Sequence, residues 1–337
     1  MDLKTNLAIL GIDISKRTFD VWLIHNGKDK QKKFDNNAEG FKRLSEFLSK
    51  NNVLKIHACM EATGRYYEAL AQYLFKEDHL VSVVNPFKIK GYAISELQRS
   101  KTDGLDAGVI ARFCRANCPP AWKPLPQEIS DLQQAERYLE NLKTNKRQEL
   151  NRLESGITCT TIKSIIEKHV EELDLKIEEV ENWLKQHVKK HERLNKHYEL
   201  IVSIIGVGNV TAFTYLGEFG YTDNFHHTRQ AESFCGLTVR KYESGSSILK
   251  KSRMTKVGNR QMRTALYMPA LSAIRYNPII RKFAEQLKKV GKPPKVIIGA
   301  VMRKLFRIIY AVVKSERPFD INYQAKSEPA QIPISLV

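Results

Sequence analysis

Two short apolar runs rich in β-branched residues open the chain, residues 6–13 (NLAILGID) and 19–25 (FDVWLIH), divided by a polar turn. QKKFD continues them as a third extended piece, and the pattern predicts a β-meander opening a mixed sheet. FKRLSEFLSK then places Phe41, Leu44, Phe47 and Leu48 at helical spacing, KIHACME reads as a strand, a helix follows Thr63, and LVSVVN reads as another strand. Strands alternating with helices after a meander predict an α/β layered domain over residues 1–118. Pro119, Pro120, Pro124 and Pro126 punctuate its end.

From residue 127 to 195 the chain is charged, almost without glycine, and helical. Ile166, Val170, Leu173, Ile177, Val180 and Leu184 step by 4, 3, 4, 3 and 4, the a/d seam of a coiled coil, and Ile129, Leu132, Leu139 and Leu142 form a weaker partner segment. Gly156 offers a turn between two antiparallel arms, so 119–195 is expected to serve self-association or to space two domains. Residues 196–320 read as a mostly helical domain, and 321–337 as a loosely ordered tail. That domain opens with helix, Gly206-Val207-Gly208 turn, helix, which is similar to a helix-hairpin-helix whose glycines let backbone N–H groups approach a phosphate. A tight connection explains the same glycines equally well. NRQMRTALYMPALSAIR, PIIRKFAEQLKKV and KVIIGAVMRKLFRIIYAVVK read as further helices.

Charge adds a partner to this outline. Among 337 residues, 55 Lys and Arg face 37 Asp and Glu, a net +18 that points to a polyanion. Between Leu237 and Lys314 stand 19 Lys or Arg and two acids, Glu243 and Glu285, which is 19 minus 2, or +17, in that window alone. A membrane is not the expected partner, because no run approaches the ~20 apolar residues of a spanning helix. The opening apolar run, ending at Asp13, is too short and lacks a cleavage pattern, so no signal peptide is expected. Five scattered cysteines without a CxxC pair argue for reduced thiols in a cytoplasm and against structural zinc. Cys114 and Cys118, four apart, read as a buried helix face.

Four acids stand apart by their positions. Asp13 closes the first strand, Glu61 closes KIHACME, and Asp103 and Asp106 sit three apart near a helix start in KTDGLDA, beside Lys101. Carboxylates in a phosphate-seeking protein make sense if they hold hard divalent cations, Mg²⁺ or Mn²⁺, about 4 Å apart across a phosphodiester. Singly, each acid is equally a turn former, a helix-start acid or an N-cap. VRKYESGSSILKKS places Ser244, Ser246 and Ser247 in a basic loop, with Arg240, Lys241, Lys250, Lys251 and Arg253 as phosphate holders or as an ordinary solvated surface. A serine hydroxyl can keep phosphodiester energy in a covalent protein–DNA bond, but serine and glycine also fill flexible turns, so spacing alone does not separate the three.

GIDISKRTFDVWL, MEATGRYYEAL, VVNP and KTDGLDAGVIARFC resemble the RuvC-like DEDD domain of insertion-sequence transposases of the IS-one-ten group. SIIGVGNVTA, FCGLTVRKYESGSS, RTALYMPA and KVIIGAVMRKL are similar to that family's second, transposase domain, in the same order over nearly the whole chain. Ile205 departs from the proline that often precedes the glycine turn. The resemblance implies an RNase H-like fold for the first domain, with Asp13, Glu61, Asp103 and Asp106 holding Mg²⁺. It implies a DNA recombinase in the bacterial nucleoid that acts on donor and target DNA, guided by a non-coding bridge RNA of its own element. It further implies Ser244 as the nucleophile of a phosphoserine intermediate, in a site both domains build, and dimers that join into a tetrameric synapse. Two other readings stand beside it: a metal-dependent junction nuclease using water, and a nucleic-acid-binding scaffold with a decayed site.

Overall fold

This computed structural model describes residues 7–62, 64–96, 103–221, 225, 227–244, 248–255 and 257–322, without the side chains of 103–105, 241–244 and 248–253. It divides into two compact units, Met1–Pro124 and Leu125–Val337. Lys101, Ser246, Ser247 and the tail beyond 322 lie outside the described residues.

The first unit is a mixed α/β layer. Its strands are β1 (Ala8–Ile14), β2 (Thr18–His25), β3 (Lys28–Asp35), β4 (Ile56–Glu61) and β5 (Leu80–Val84), and its helices are α1 (Ala38–Lys50), α2 (Glu68–Lys76), α3 (Pro86–Ser95) and α4 (Asp103–Asn117). The sheet order is β3-β2-β1-β4-β5, antiparallel through the meander and parallel from β1 to β4 to β5. Asn26 and Gly27, both at positive φ, close the β2–β3 hairpin as a primed two-residue turn requires. Lys28, Lys30, Lys32 and Lys33 on the edge strand β3 discourage pairing with another sheet.

Alternation along the central strands sends side chains to two different layers. Leu10, Ile12, Ala58 and Met60 pack with Leu44 and Leu48 of α1 and Leu70 and Leu74 of α2. On the opposite face Cys59 and Val84 pack with Ile89 of α3 and Ile110, Phe113 and Cys114 of α4. The proline-punctuated stretch stays beside β5, where the Trp122 N–H donates to Val81 O at 2.7 Å.

The second unit is mostly helical: α5 (Gln127–Glu154), α6 (Thr160–Lys190), α7 (Glu192–Val202), α8 (Asn209–Phe219), α9 (Thr228–Phe234), the strands β6 (Val239–Ser244) and β7 (Ile248–Met254), then α10 (Arg260–Ala265), α11 (Tyr267–Tyr276), α12 (Pro278–Lys289) and α13 (Pro294–Ser315). Helices α5 and α6 lie antiparallel, joined through Gly156 at φ +90, with His187 against the Glu128 carbonyl at one end and Lys146 paired to Asp174 further along. On the α6 seam Leu173 and Leu184 are buried, while Ile166, Val170, Ile177 and Val180 are half-buried. Tyr215 and Phe219 of α8 stack at 5.1 Å and meet Phe306 of α13 at the centre of the core.

Two elements differ from the sequence expectation. NRQMRTALYMPALSAIR is two helices, α10 and α11, which meet at Leu266. The break puts Pro269 in the first turn of α11, where its missing N–H leaves no intrahelical bond unmade. The basic serine stretch, expected as a loop, is the antiparallel β6–β7 hairpin, with a register shift between Arg240 and Tyr242.

Candidate active site

The register of β1 and β4 places the first two acids side by side. Ile12 pairs with Met60, so Asp13 and Glu61 are the next step along two parallel neighbours, about 4.8 Å apart across the sheet. Asp13 follows Gly11 by two residues and Glu61 follows Cys59 by two, so both acids lie on the face that α4 covers.

Helix α4 approaches that face unusually closely. A Cβ on Gly11 would lie 2.2 Å from the Ala107 carbonyl oxygen and 2.3 Å from the Ala111 nitrogen. Gly108 gives the helix room over the Trp22 ring, although less tightly, at 3.2 Å from an added Cβ. Farther along α4, the Cys114 thiol points to the carbonyl of His57, which pairs with Ile9 near the start of β1. The helix therefore runs against the strand direction, and its first turn, with Asp103 and Asp106, points to the strand ends that carry Asp13 and Glu61. Position 103 shares a stripe with Ala107 and Ala111, and position 106 one with Ile110. A helix start is also where negative charge is favoured.

The helix is held laterally as well. Arg112 pairs with Glu96 at the end of α3 at 2.9 Å, and Arg112 keeps the Glu96 carboxyl below the usual carboxylate range. The neighbouring Cys59 sulfur first, and burial second, push the Cys114 thiol up, so it remains a neutral packing group. Cys114 is buried, but Cys118 is exposed at φ +41, one residue beyond the end of α4, so the two do not form the single buried helix face expected from their spacing. Among the described residues no three His, Cys, Asp or Glu side chains gather to hold a metal ion; the Asp103 side chain is not among them. The acids offer only carboxylate oxygens, a donor set that fits Mg²⁺ or Mn²⁺ better than softer ions.

Two residues that sequence reasoning did not single out belong to this edge. Asp20 of β2 is the direct cross-strand partner of Asp13. It is buried, and Lys33 of β3 reaches it at 3.1 Å. The signal was available as a lone acid inside the apolar run FDVWL. Asn36 donates from its side-chain amide to the Ser15 and Tyr66 carbonyls at 3.0 and 3.1 Å, tying the turn after Asp13 to the loop after Glu61. Nothing in its sequence surroundings marks that role.

Ser244 closes β6 opposite Ile248, at the distal end of the hairpin. Arg240 is exposed and pairs with Arg253 across the strands. Backbone placement puts Lys250 and Lys251 on β7; the side chains of these lysines, Lys241, Arg253 and Ser244 are outside the described ones. The hairpin base is firmly anchored. The Thr255 N–H donates to Thr238 O and the Asn259 N–H to Phe234 O, while the Asn259 side chain reaches Glu218, itself clamped by Arg137 at 2.9 and 3.0 Å. Gly258 has φ +136, and a Cβ there would lie 2.3 Å from Phe234 O.

In the glycine turn, Gly206 has φ +95 and faces Ala273 of α11, whose Cα would be 2.8 Å from an added Cβ. Packing alone accounts for that glycine. Gly208, the N-cap of α8, is exposed with open space around it.

Comparison with known proteins gives two family matches, the first of which runs past the end of the first unit and through α5. Residues 10–160 match a family model for the DEDD transposases of IS110 elements, and residues 198–285 match the family described as transposase IS116/IS110/IS902. The pilin gene-inverting proteins of Moraxella bovis and Moraxella lacunata are each 34% identical over 315 residues, covering 92% of this chain and 97% of theirs. The transposase for insertion sequence element IS1111A of Coxiella burnetii is 31% identical over 91 residues, 27% of this chain and 25% of its own. On these grounds the chain belongs to the IS110 group of insertion-sequence transposases.

Proposed function

We propose that this chain cuts and exchanges DNA strands, with Asp13, Glu61, Asp103 and Asp106 holding divalent metal ions and Ser244 serving as nucleophile. The observation that supports it most is the antiparallel run of α4 over Gly11, which directs the Asp103–Asp106 turn to the strand ends of Asp13 and Glu61. The sheet order, a three-stranded antiparallel meander continued by two parallel strands, also suits an RNase H or RuvC-like fold.

Bound Mg²⁺ supplies Lewis-acid charge at the scissile phosphate. The Ser244 hydroxyl oxygen bonds to phosphorus, its proton passes to solvent, and the P–O bond to the departing strand breaks to leave a hydroxyl end. The resulting phosphoserine diester keeps the bond energy until another strand's hydroxyl attacks it. Arg240, Lys250, Lys251 and Arg253 on the anchored hairpin, with Lys101, hold phosphates. Gly208 lies where the turn can touch the DNA backbone, and Gly206, read from sequence as a second phosphate glycine, serves that turn by its packing on Ala273. Guidance by a bridge RNA of the same element rests on the motif resemblance alone; the +17 carried between Leu237 and Lys314 suits any polyanion. The α5–α6 arm serves self-association, within a dimer or between the dimers that join into a tetrameric synapse, and 1–118, 119–195 and 196–320 are the functional divisions.

The test is to incubate the protein, Mg²⁺ and the element's RNA with donor and target DNA and to resolve covalent protein–DNA adducts. Wild type forms them, Ser244→Ala does not, and Asp13→Ala loses cleavage while keeping RNA binding. Cleavage undiminished in Ser244→Ala would establish a water-using nuclease instead, and no cleavage by wild type would leave a binding scaffold.

A further inference from the structure

Near the end of α6 the residues at i, i+3, i+4 and i+7 are Trp183, Gln186, His187 and Lys190, and the extended residue His191 follows between α6 and α7. That spacing is one helical face, and it lies beside the apolar seam rather than within it. The Trp183 and His187 rings stack with centroids 4.5 Å apart and planes 14° apart, and His191 continues the ladder 4.8 Å beyond at 54°. His187 is fixed in place by a 2.9 Å hydrogen bond between its Nε2 and the Glu128 carbonyl, so the ring donates and its plane is set before any ligand arrives. Trp183 remains 42% exposed. These side chains line an open cavity of about 460 Å³, with Gln127 and Asp131 of α5 on the opposite wall.

Core packing does not call for this face, since Leu184 and Val188 already fill the seam between the helices. What it offers is a rigid, half-exposed indole–imidazole ladder, amide groups that can meet a base edge, and the Lys190 ammonium one turn on. Unpaired bases are recognised by stacking on aromatic or histidine rings with a cation at the adjoining phosphate. A base inside a duplex cannot reach such a face, because its own faces are already stacked.

We propose that the Trp183–His187–His191 face is a stacking platform for an unpaired nucleobase, with Lys190 at its phosphate. The proposal rests on the nucleic-acid chemistry of the transposase family and adds to it a strand-selective contact outside the acid and serine sites. RNA and DNA single strands share the required chemistry, and the experiment separates them.

Full-length protein is titrated by fluorescence anisotropy with labelled oligouridine, oligothymidine and a blunt mixed-sequence DNA duplex. Trp183→Ala is expected to weaken single-strand binding about tenfold, Trp183→Tyr to retain most of it, and both to leave the duplex affinity unchanged. Loss confined to oligouridine identifies RNA, loss confined to oligothymidine identifies a displaced DNA strand, and loss of both identifies a platform for either. Unchanged single-strand affinity in a folded Trp183→Ala protein overturns the platform, as does an equal loss of duplex binding. A change in solution mass by light scattering on Trp183→Ala also overturns it, because the face would then be a protein contact. If wild type binds none of the three probes, the nucleic-acid reading itself fails, an outcome distinct from failure of the platform.

Discussion

Gly11 of β1 lies directly beneath Ala107 of α4, so close that any Cβ would meet the Ala107 carbonyl oxygen at 2.2 Å. The atoms in the way are backbone, and the helix would have to lift to make room. Since this contact aims the Asp103–Asp106 turn, Gly11→Ala is expected to lower the stability of the first unit by about 1–3 kcal/mol and to suppress strand cleavage even where the protein stays folded. Urea denaturation and a cleavage assay on the folded fraction measure the two effects separately. Full cleavage activity in Gly11→Ala would show that the close approach does not set the geometry of the acids.

Asp13 and Asp20 place two carboxylates directly opposite each other, an arrangement that destabilises a sheet unless something offsets it. Lys33 pairs with Asp20 from the outer strand. Lys33→Met should therefore cost about 1 kcal/mol near neutral pH, and adding Asp20→Asn should recover most of that cost. A double-mutant cycle in urea gives the coupling; additive losses would mean that Lys33 does not act through Asp20.

The meander, the α1 face at Phe41, Leu44 and Leu48, and the spacing of the α6 seam could be read from periodicity because burial on one face leaves a 2.0 or 3.6 repeat. The four acids could be located at element ends for the same reason. That the helix start carrying Asp103 and Asp106 points to the strand ends of Asp13 and Glu61 could not be read, because it depends on β1 pairing parallel to β4 and on α4 crossing Gly11, and neither contact is local in sequence. Asp20 escaped notice because its significance comes only from the register that sets it opposite Asp13. Gly206 illustrates the converse: a glycine read as a phosphate turn is also required by the Ala273 backbone. The β6–β7 stretch read as a loop because lysines and serines carry little strand preference, whereas its base is fixed by Asn259 and Thr255.

Glu136 of α5 is buried, and burial raises its pKa, opposed in part by the 2.7 Å hydrogen bond from Thr214. A carboxyl group whose folded pKa lies above its unfolded value stabilises the fold fully below the unfolded pKa and loses that contribution as pH rises through the folded one. Glu136→Gln keeps the acceptor for Thr214 without the buried charge. The variant should melt at the wild-type temperature near about pH 4 and above it near about pH 8. Thermal scans across that range check the sign; a variant less stable at high pH would mean that the charged form is the favoured one.

Gly206 and Gly208 belong to one turn but answer different questions when replaced. Gly206→Ala puts a side chain at φ +95 against Ala273, so its expected loss of about 1–3 kcal/mol reports packing and nothing about DNA. Gly208 has an ordinary φ of −107 and open space, so Gly208→Ala should cost less than about 1 kcal/mol, the price of a poorer N-cap. If a phosphate approaches the backbone at the start of α8, the added methyl group displaces it, and duplex affinity should fall several-fold while the melting temperature hardly moves. Anisotropy titration beside a thermal melt gives both readings, and an affinity equal to wild type would assign the whole turn to the packing of α7, α8 and α11.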